Sequence, residues 1–184
     1  MSVFVVEDGT GLTNATSYQS TTDFIDYWAS GCGSIGIQDI STYTTQELQS
    51  ALMVATRYIE MNYTAKGDPV NVNQNLMPPR LNLYNKNGGL YPSNEVPEPF
   101  KSALSEYAYI QLTQVSSGGI QPNPPKQGIV KRQKDKLDVL ETEIEFVEGT
   151  QAFTIQRYPY ADSILGHVTS SGLGGLSDKI SRGL

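Results

Sequence analysis

The chain has one cysteine, Cys32, and one histidine, His167. A single cysteine excludes an intramolecular disulfide and any multi-cysteine zinc site. Cys32 sits in Ser30-Gly31-Cys32-Gly33-Ser34, which reads as a turn rather than a reactive centre. His167 is near the C-terminal end, away from the cysteine and from any serine motif. Nucleophilic triads of the Ser-His-Asp or Cys-His kind are therefore unsupported, and His167 reads as a surface residue. Neither histidine, cysteine nor carboxylate recurs at metal-ligand spacing. No apolar run approaches the ~20 residues that span a bilayer. The start lacks the basic and apolar regions of a signal peptide, so the chain is expected to be soluble in the cytoplasm where it is made. Without a secretory route, Asn14-Ala15-Thr16 and Asn62-Tyr63-Thr64 match the glycosylation pattern by chance. Basic residues are also few, 13 against 19 acidic, giving a net charge of −6. That argues against a protein whose main task is gripping nucleic-acid phosphates.

The 184 residues suffice for one domain with a core, and 17 Gly with 10 Pro point to much loop or extended chain. The segment Thr44–Tyr63 carries the clearest pattern. Leu48, Ala51, Leu52, Ala55, Tyr58, Ile59 and Asn62 recur at spacings of three and four, which places them on one helical stripe. Thr44 with Glu47 has the form of a capping box, and Gly67 and Pro69 mark the stop. A second amphipathic helix is predicted from Pro97 onward, through Phe100, Ala103, Leu104, Tyr107, Ala108, Gln111, Leu112 and Val115. Packed antiparallel, the two would supply most of the core. A short helix is predicted over Asp23–Ser30, capped by Thr21 or Thr22, and a short strand over Val3–Val6. Gly9 and Gly11 follow that strand; with no Gly-Lys-Ser/Thr after them they read as a turn, not a phosphate cradle. Lys66–Pro97 is a long irregular stretch, of the kind that is either functional or braced by its own contacts.

Beyond the Pro-rich connector Gln121–Gly128, charge is segregated. Lys126, Lys131, Arg132, Lys134 and Lys136 precede Glu141, Glu143, Glu145 and Glu148. Leu140, Thr142, Ile144 and Phe146 alternate with three of the glutamates, which is strand periodicity. The residues 129–147 are predicted to form a β-hairpin or extended arm, with a bulge near Val139 or Leu140 and the basic strand neutralising the acidic one. Ala161–His167 is a short segment with Ile164 and Leu165 as its apolar residues. The Gly/Ser-rich end, Thr169–Leu184, holds only Leu173, Leu176, Ile180 and Leu184 as isolated apolar residues, too few to fold alone. It is expected either to stay disordered or to order on a partner.

Two further chemistries have simpler explanations. Paired carboxylates could serve glycoside hydrolysis, but glutamates alternating on an exposed strand read as a solvated face. Eleven tyrosines could serve as stacking platforms for single-stranded nucleic acid, yet Tyr27, Tyr58 and Tyr107 fall on the apolar stripes. Arg57 and Arg80 each have two readings: a stem lying along the helices with its head in water, or a guanidinium clamping a carboxylate across an interface.

Several marks in order resemble one family. They are the start SVFVVEDGTGLTNATSY, the run Ala55-Thr56-Arg57-Tyr58-Ile59 with Tyr63 and Gly67 after it, and Gln74-x-Leu76-x-x-Pro79-Arg80. Val96-Pro97, Asp138-Val139-Leu140-Glu141 and Tyr158-Pro159 follow. The order is similar to that of the head–tail adaptor (connector, or head-completion) proteins of tailed bacteriophages, part of which carry the label DnaT-like single-stranded-DNA-binding. The resemblance covers roughly Ser2–Leu165; Pro78 stands where the family often has an aromatic. It implies a ring, expected to be twelve-fold, in the virion neck between portal protein and a tail, nozzle or stopper protein. DNA would pass through without sequence-specific binding, and no cofactor, metal, membrane or catalysis is implied.

The expected fold is therefore mainly α: a small antiparallel helical bundle with an N-terminal strand over 1–120, a β-hairpin arm over 121–157, and a C-terminal docking tail over 158–184. Partner-binding residues are expected to be Arg80, Tyr158, Pro159, Tyr160, Ile164, Leu165, Leu173, Leu176, Ile180 and Leu184. Glu141, Glu143 and Glu145 are expected to line the channel and repel DNA. A single-stranded-DNA-binding module using Lys126–Lys136 with exposed tyrosines is the first alternative, and a tail-associated wall-degrading enzyme the second.

Overall fold

In a computed structural model, the chain is described over residues 3–114, 119–120, 127–136, 141–152 and 158–171. It divides into two compact units, one from residues 1–120 together with 158–184, the other from 121–157.

The first unit is mainly helical. Helix α1, Thr21–Ala29, begins at Ser20 rather than at either threonine. The Ser20 hydroxyl takes the Asp23 amide, and Asp23 reaches back to the Ser20 amide at 3.2 Å, a complete capping box. Helix α2, Thr45–Asn62, has the box anticipated for Thr44 and Glu47. Helix α3, Glu98–Thr113, starts behind Pro97 with a second proline in its first turn, where a missing N–H leaves no bond unmade. Helix α4 is short, Pro159–Leu165.

Residues near the start of α2 (Gln46, Ser50) share a groove with Gln111 and Leu112 near the end of α3, while Tyr58 meets Tyr107 at 5.0 Å between ring centroids. The two helices therefore run antiparallel, as the sequence pattern predicts. The stripe of α2 is buried at Leu48, Ala51, Leu52, Ala55 and Ile59, with Tyr58 and Asn62 half-buried. Helix α3 departs from a one-sided pattern. Ser105 and Glu106 are buried along with its apolar residues, because α1, α2 and α4 all pack on it. Val115, at the end of the predicted α3 stripe, lies outside the described residues.

Val3–Val6 does not form a strand. Only Val6 makes a bridge, to Ser17, and the segment is otherwise tied to the next turn by Thr16 N→Val5 O (2.7 Å) and Glu7 N→Ser17 O (2.9 Å). A strand needs a neighbouring ladder, and two residues of partner are too few to propagate one.

The stretch from 66 to 97 is braced internally. Two-residue strands β2, Asp68–Pro69, and β3, Arg80–Leu81, pair antiparallel. Between them the Gln74 amide donates to the carbonyls of Leu76 (2.7 Å), Met77 (2.8 Å) and Pro79 (3.2 Å), and its oxygen takes the Asn71 amide. Strand β1, Tyr63–Ala65, continues from α2 and pairs antiparallel with β6, Thr169–Ser171. The chain after the hairpin thus returns to the helical core.

The second unit contains, among its described residues, strands β4, Gln127–Lys136, and β5, Glu141–Ala152, paired antiparallel. The predicted bulge at Val139 or Leu140 lies outside the described residues. Register shifts occur instead on either side of Val130. Leu173, Leu176, Ile180 and Leu184 also lie outside the described residues.

Candidate functional site

Four carboxylates in the helical unit each accept hydrogen bonds from two or more groups. Glu7 accepts the amides of Gly9 (3.0 Å), Gly11 (2.9 Å) and Leu12 (2.9 Å). The glycine turn is therefore an anion nest whose anion is the chain's own side chain. Gly9 has φ +96°, and a Cβ there would sit 2.0 Å from the Asn94 carbonyl oxygen. On α3, Glu106 accepts the Ser34 amide (2.8 Å), the Ser34 hydroxyl (2.7 Å) and the Tyr27 phenol (3.0 Å). On α4, Asp162 accepts the phenols of Tyr63 (2.6 Å) and Tyr107, whose own oxygens lie 2.9 Å apart. Burial, then the hydrogen bond to Asp162, raises both phenols far above their ordinary range and keeps them neutral.

Glu60, in the last turn of α2, is the fourth. Its Oε1 accepts the Tyr18 phenol (2.7 Å) and the Met77 amide (2.6 Å). Burial raises its pKa, against the pull of those two bonds and of the Arg80 charge. Arg80 is half-buried on β3 and is itself pushed down by burial, with the Glu60 and Asp68 charges opposing. Arg57 is exposed and lines a small cleft with Thr56, Glu60 and Asn75.

The open groove richest in aromatic and charged groups runs between the 85–91 turn, the start of α3 and α4. Tyr27, Lys86, Tyr91, Glu98, Tyr160 and His167 all contribute to it. Contrary to the surface position expected for it, His167 is half-buried, its Nε2 3.1 Å from the Tyr91 hydroxyl. Lys66 Nζ donates to the His167 carbonyl at 2.9 Å. Burial, then the nearby Lys86 charge, with Lys66 adding a smaller push, lowers the imidazole pKa and favours its neutral form at pH 7. Among the described residues no cluster of three or more His, Cys, Asp or Glu could hold a metal ion, and no helix is long and apolar enough to cross a membrane.

A family model described as "Putative DnaT-like ssDNA binding protein" matches residues 2–183. The chain belongs to this DnaT-like family. No match was found among curated proteins or among solved structures.

In this DnaT-like chain the residues expected to bind partners divide by burial. Leu165 is fully buried in the core of its own chain, Tyr158, Pro159 and Ile164 are partly or more exposed, and Tyr160 is half exposed. The 158–171 segment is held by Asp162, by Leu165 and by the β1–β6 ladder. In the hairpin, the register sets Lys136 opposite Glu141, Lys134 opposite Glu143 and Arg132 opposite Glu145. The expected channel-lining glutamates are each matched by a basic position, as the segregated charges of the sequence predict. The anchors Glu7, Glu60, Glu106 and Asp162 were not singled out from the sequence.

Proposed function

We propose that this chain is a structural assembly subunit, the head–tail adaptor of a tailed bacteriophage, closing with sister copies into a ring between portal and tail. The observation that carries this reading is the second unit. Among its described residues it is a lone two-stranded ribbon of 10- and 12-residue strands. A ribbon of two strands is marginal in water by itself and gains stability when other surfaces cover its faces and edges. The charge-matched register lowers the cost of burying that ribbon on a neighbour. The order of motifs shared with phage adaptors supports the same reading, as does the use of the helical unit's buried carboxylates as loop anchors. Replacing Gln127–Ala152 by a short Gly-Ser loop tests it. The helical unit should keep its helix signal and cooperative unfolding, while copies no longer assemble on portal protein. Unimpaired assembly of the shortened chain would contradict the proposal.

The second reading, a single-stranded-DNA-binding module, is favoured by the family description and by the tyrosine-lined groove of the helical unit. In the Lys126–Lys136 cluster expected to serve that role, Arg132, Lys134 and Lys136 stand opposite Glu145, Glu143 and Glu141 across the ladder. A basic stripe neutralised by its neighbour offers phosphates little net attraction.

A further inference from the structure

We propose that the groove between the 85–91 turn and α4 is a binding site for single-stranded DNA, with Tyr160 and Tyr91 as base platforms and Lys86 and Lys66 as phosphate contacts. The proposal rests on the second reading above and moves its site from the hairpin to the helical unit. The groove encloses about 580 Å³, within the range of pockets that take small ligands. Tyr160 is 50% exposed although it is carried on the same short helix as the fully buried Leu165. Its ring is available to solvent where Tyr18, Tyr58 and Tyr107 have their rings packed against other aromatics. The Tyr91 ring lies 6.4 Å from the His167 imidazole, and the hydroxyl–Nε2 bond fixes the pair. Every base presents a π-face, so such rings bind without sequence preference.

Both lysines are exposed and both lie near enough to His167 for their charges to act on it. Lys66 is oriented by its bond to the His167 carbonyl. Lys86 is carried on a turn in which the Asn85 side chain accepts the amides of Asn87 (2.9 Å) and Gly89 (3.0 Å). Lys86 and the rings thus sit on one groove, with the Lys66 ammonium beside it on the His167 carbonyl, and cation with ring is the pairing that single-strand binders use. Glu98 also lines the groove and takes the Ser102 hydroxyl at 3.0 Å. A carboxylate there suits the amino edges of bases and repels phosphates, which places the backbone on the lysine side.

Fluorescence anisotropy of the full chain with a labelled oligothymidylate of about 12 nucleotides tests the site, at several salt concentrations. The intact chain should bind, with affinity falling as salt rises. Tyr160→Ala combined with Lys86→Ala should weaken binding about tenfold or more while leaving the unfolding midpoint unchanged, and Lys86→Ala alone should reduce the salt slope by roughly 0.7. Lys131→Ala with Arg132→Ala in the hairpin should bind as the unaltered chain does. Binding that survives the groove variants but is lost in the hairpin variant overturns the site and leaves the DNA reading standing. Absence of binding by the intact chain even at low salt overturns both.

Discussion

The Tyr18 phenol donates to Glu60 Oε1 at 2.7 Å across 42 positions of sequence. The same oxygen takes the Met77 amide, so one carboxylate joins the turn before α1, the last turn of α2 and the loop before β3. Because burial raises the Glu60 pKa above its usual 4.5, there is a pH window, from about 4.5 up to the folded pKa, in which the folded chain holds a proton there that the unfolded chain has released. Stability from this group is complete below the unfolded pKa and is lost as pH rises through the folded one. Glu60→Gln keeps an acceptor for Tyr18 and Met77 but does not titrate. Urea unfolding at a series of pH values should show the unaltered chain losing stability relative to Glu60→Gln as pH rises from about 4.5 toward neutrality. A difference independent of pH would show that Glu60 titrates normally.

Helix α1 begins at Ser20, whose hydroxyl caps the Asp23 amide at 3.1 Å. Ser20→Ala should cost about 1 kcal/mol in chemical denaturation. Thr21→Ala and Thr22→Ala, inside the helix, should cost less than half of that, since neither side chain caps the helix. Equal losses at all three would mean that the cap is not the source of the stability.

The long helices were legible because their signals are local. Leu48 to Ile59 and Phe100 to Leu112 repeat at helical spacing, and Thr44 with Glu47 announces a start within four residues. Ser20 was harder to read because Ser20, Thr21 and Thr22 are adjacent candidates of one chemistry. The anchors could not be read at all. Tyr27 reaches Glu106 across 79 positions and Tyr63 reaches Asp162 across 99. No local periodicity encodes such pairings, and a glutamate on a helix reads as solvated until its partners are known. His167 reads as a surface residue for the same reason: its partner Tyr91 is 76 positions away.

Helix α4 joins two roles on residues five positions apart. Leu165 is fully buried and Tyr160 is half exposed. Leu165→Ala should destabilise the helical unit by about 2–5 kcal/mol, and Tyr160→Ala by less than about 0.5 kcal/mol. Urea midpoints of the two variants check this directly. A mild effect of Leu165→Ala would mean that the segment after the hairpin docks on a partner instead of completing its own core.

The role proposed for this chain, one member of a ring at the neck of a virion, has a direct structural test. Electron cryomicroscopy of purified virions, with density averaged at the portal vertex, tests it most directly. A collar is expected below the portal, in which α2 and α3 repeat around the axis and each β4–β5 ribbon lies against a neighbouring chain. A vertex without this chain, or a ring whose ribbons touch no neighbour, would contradict it.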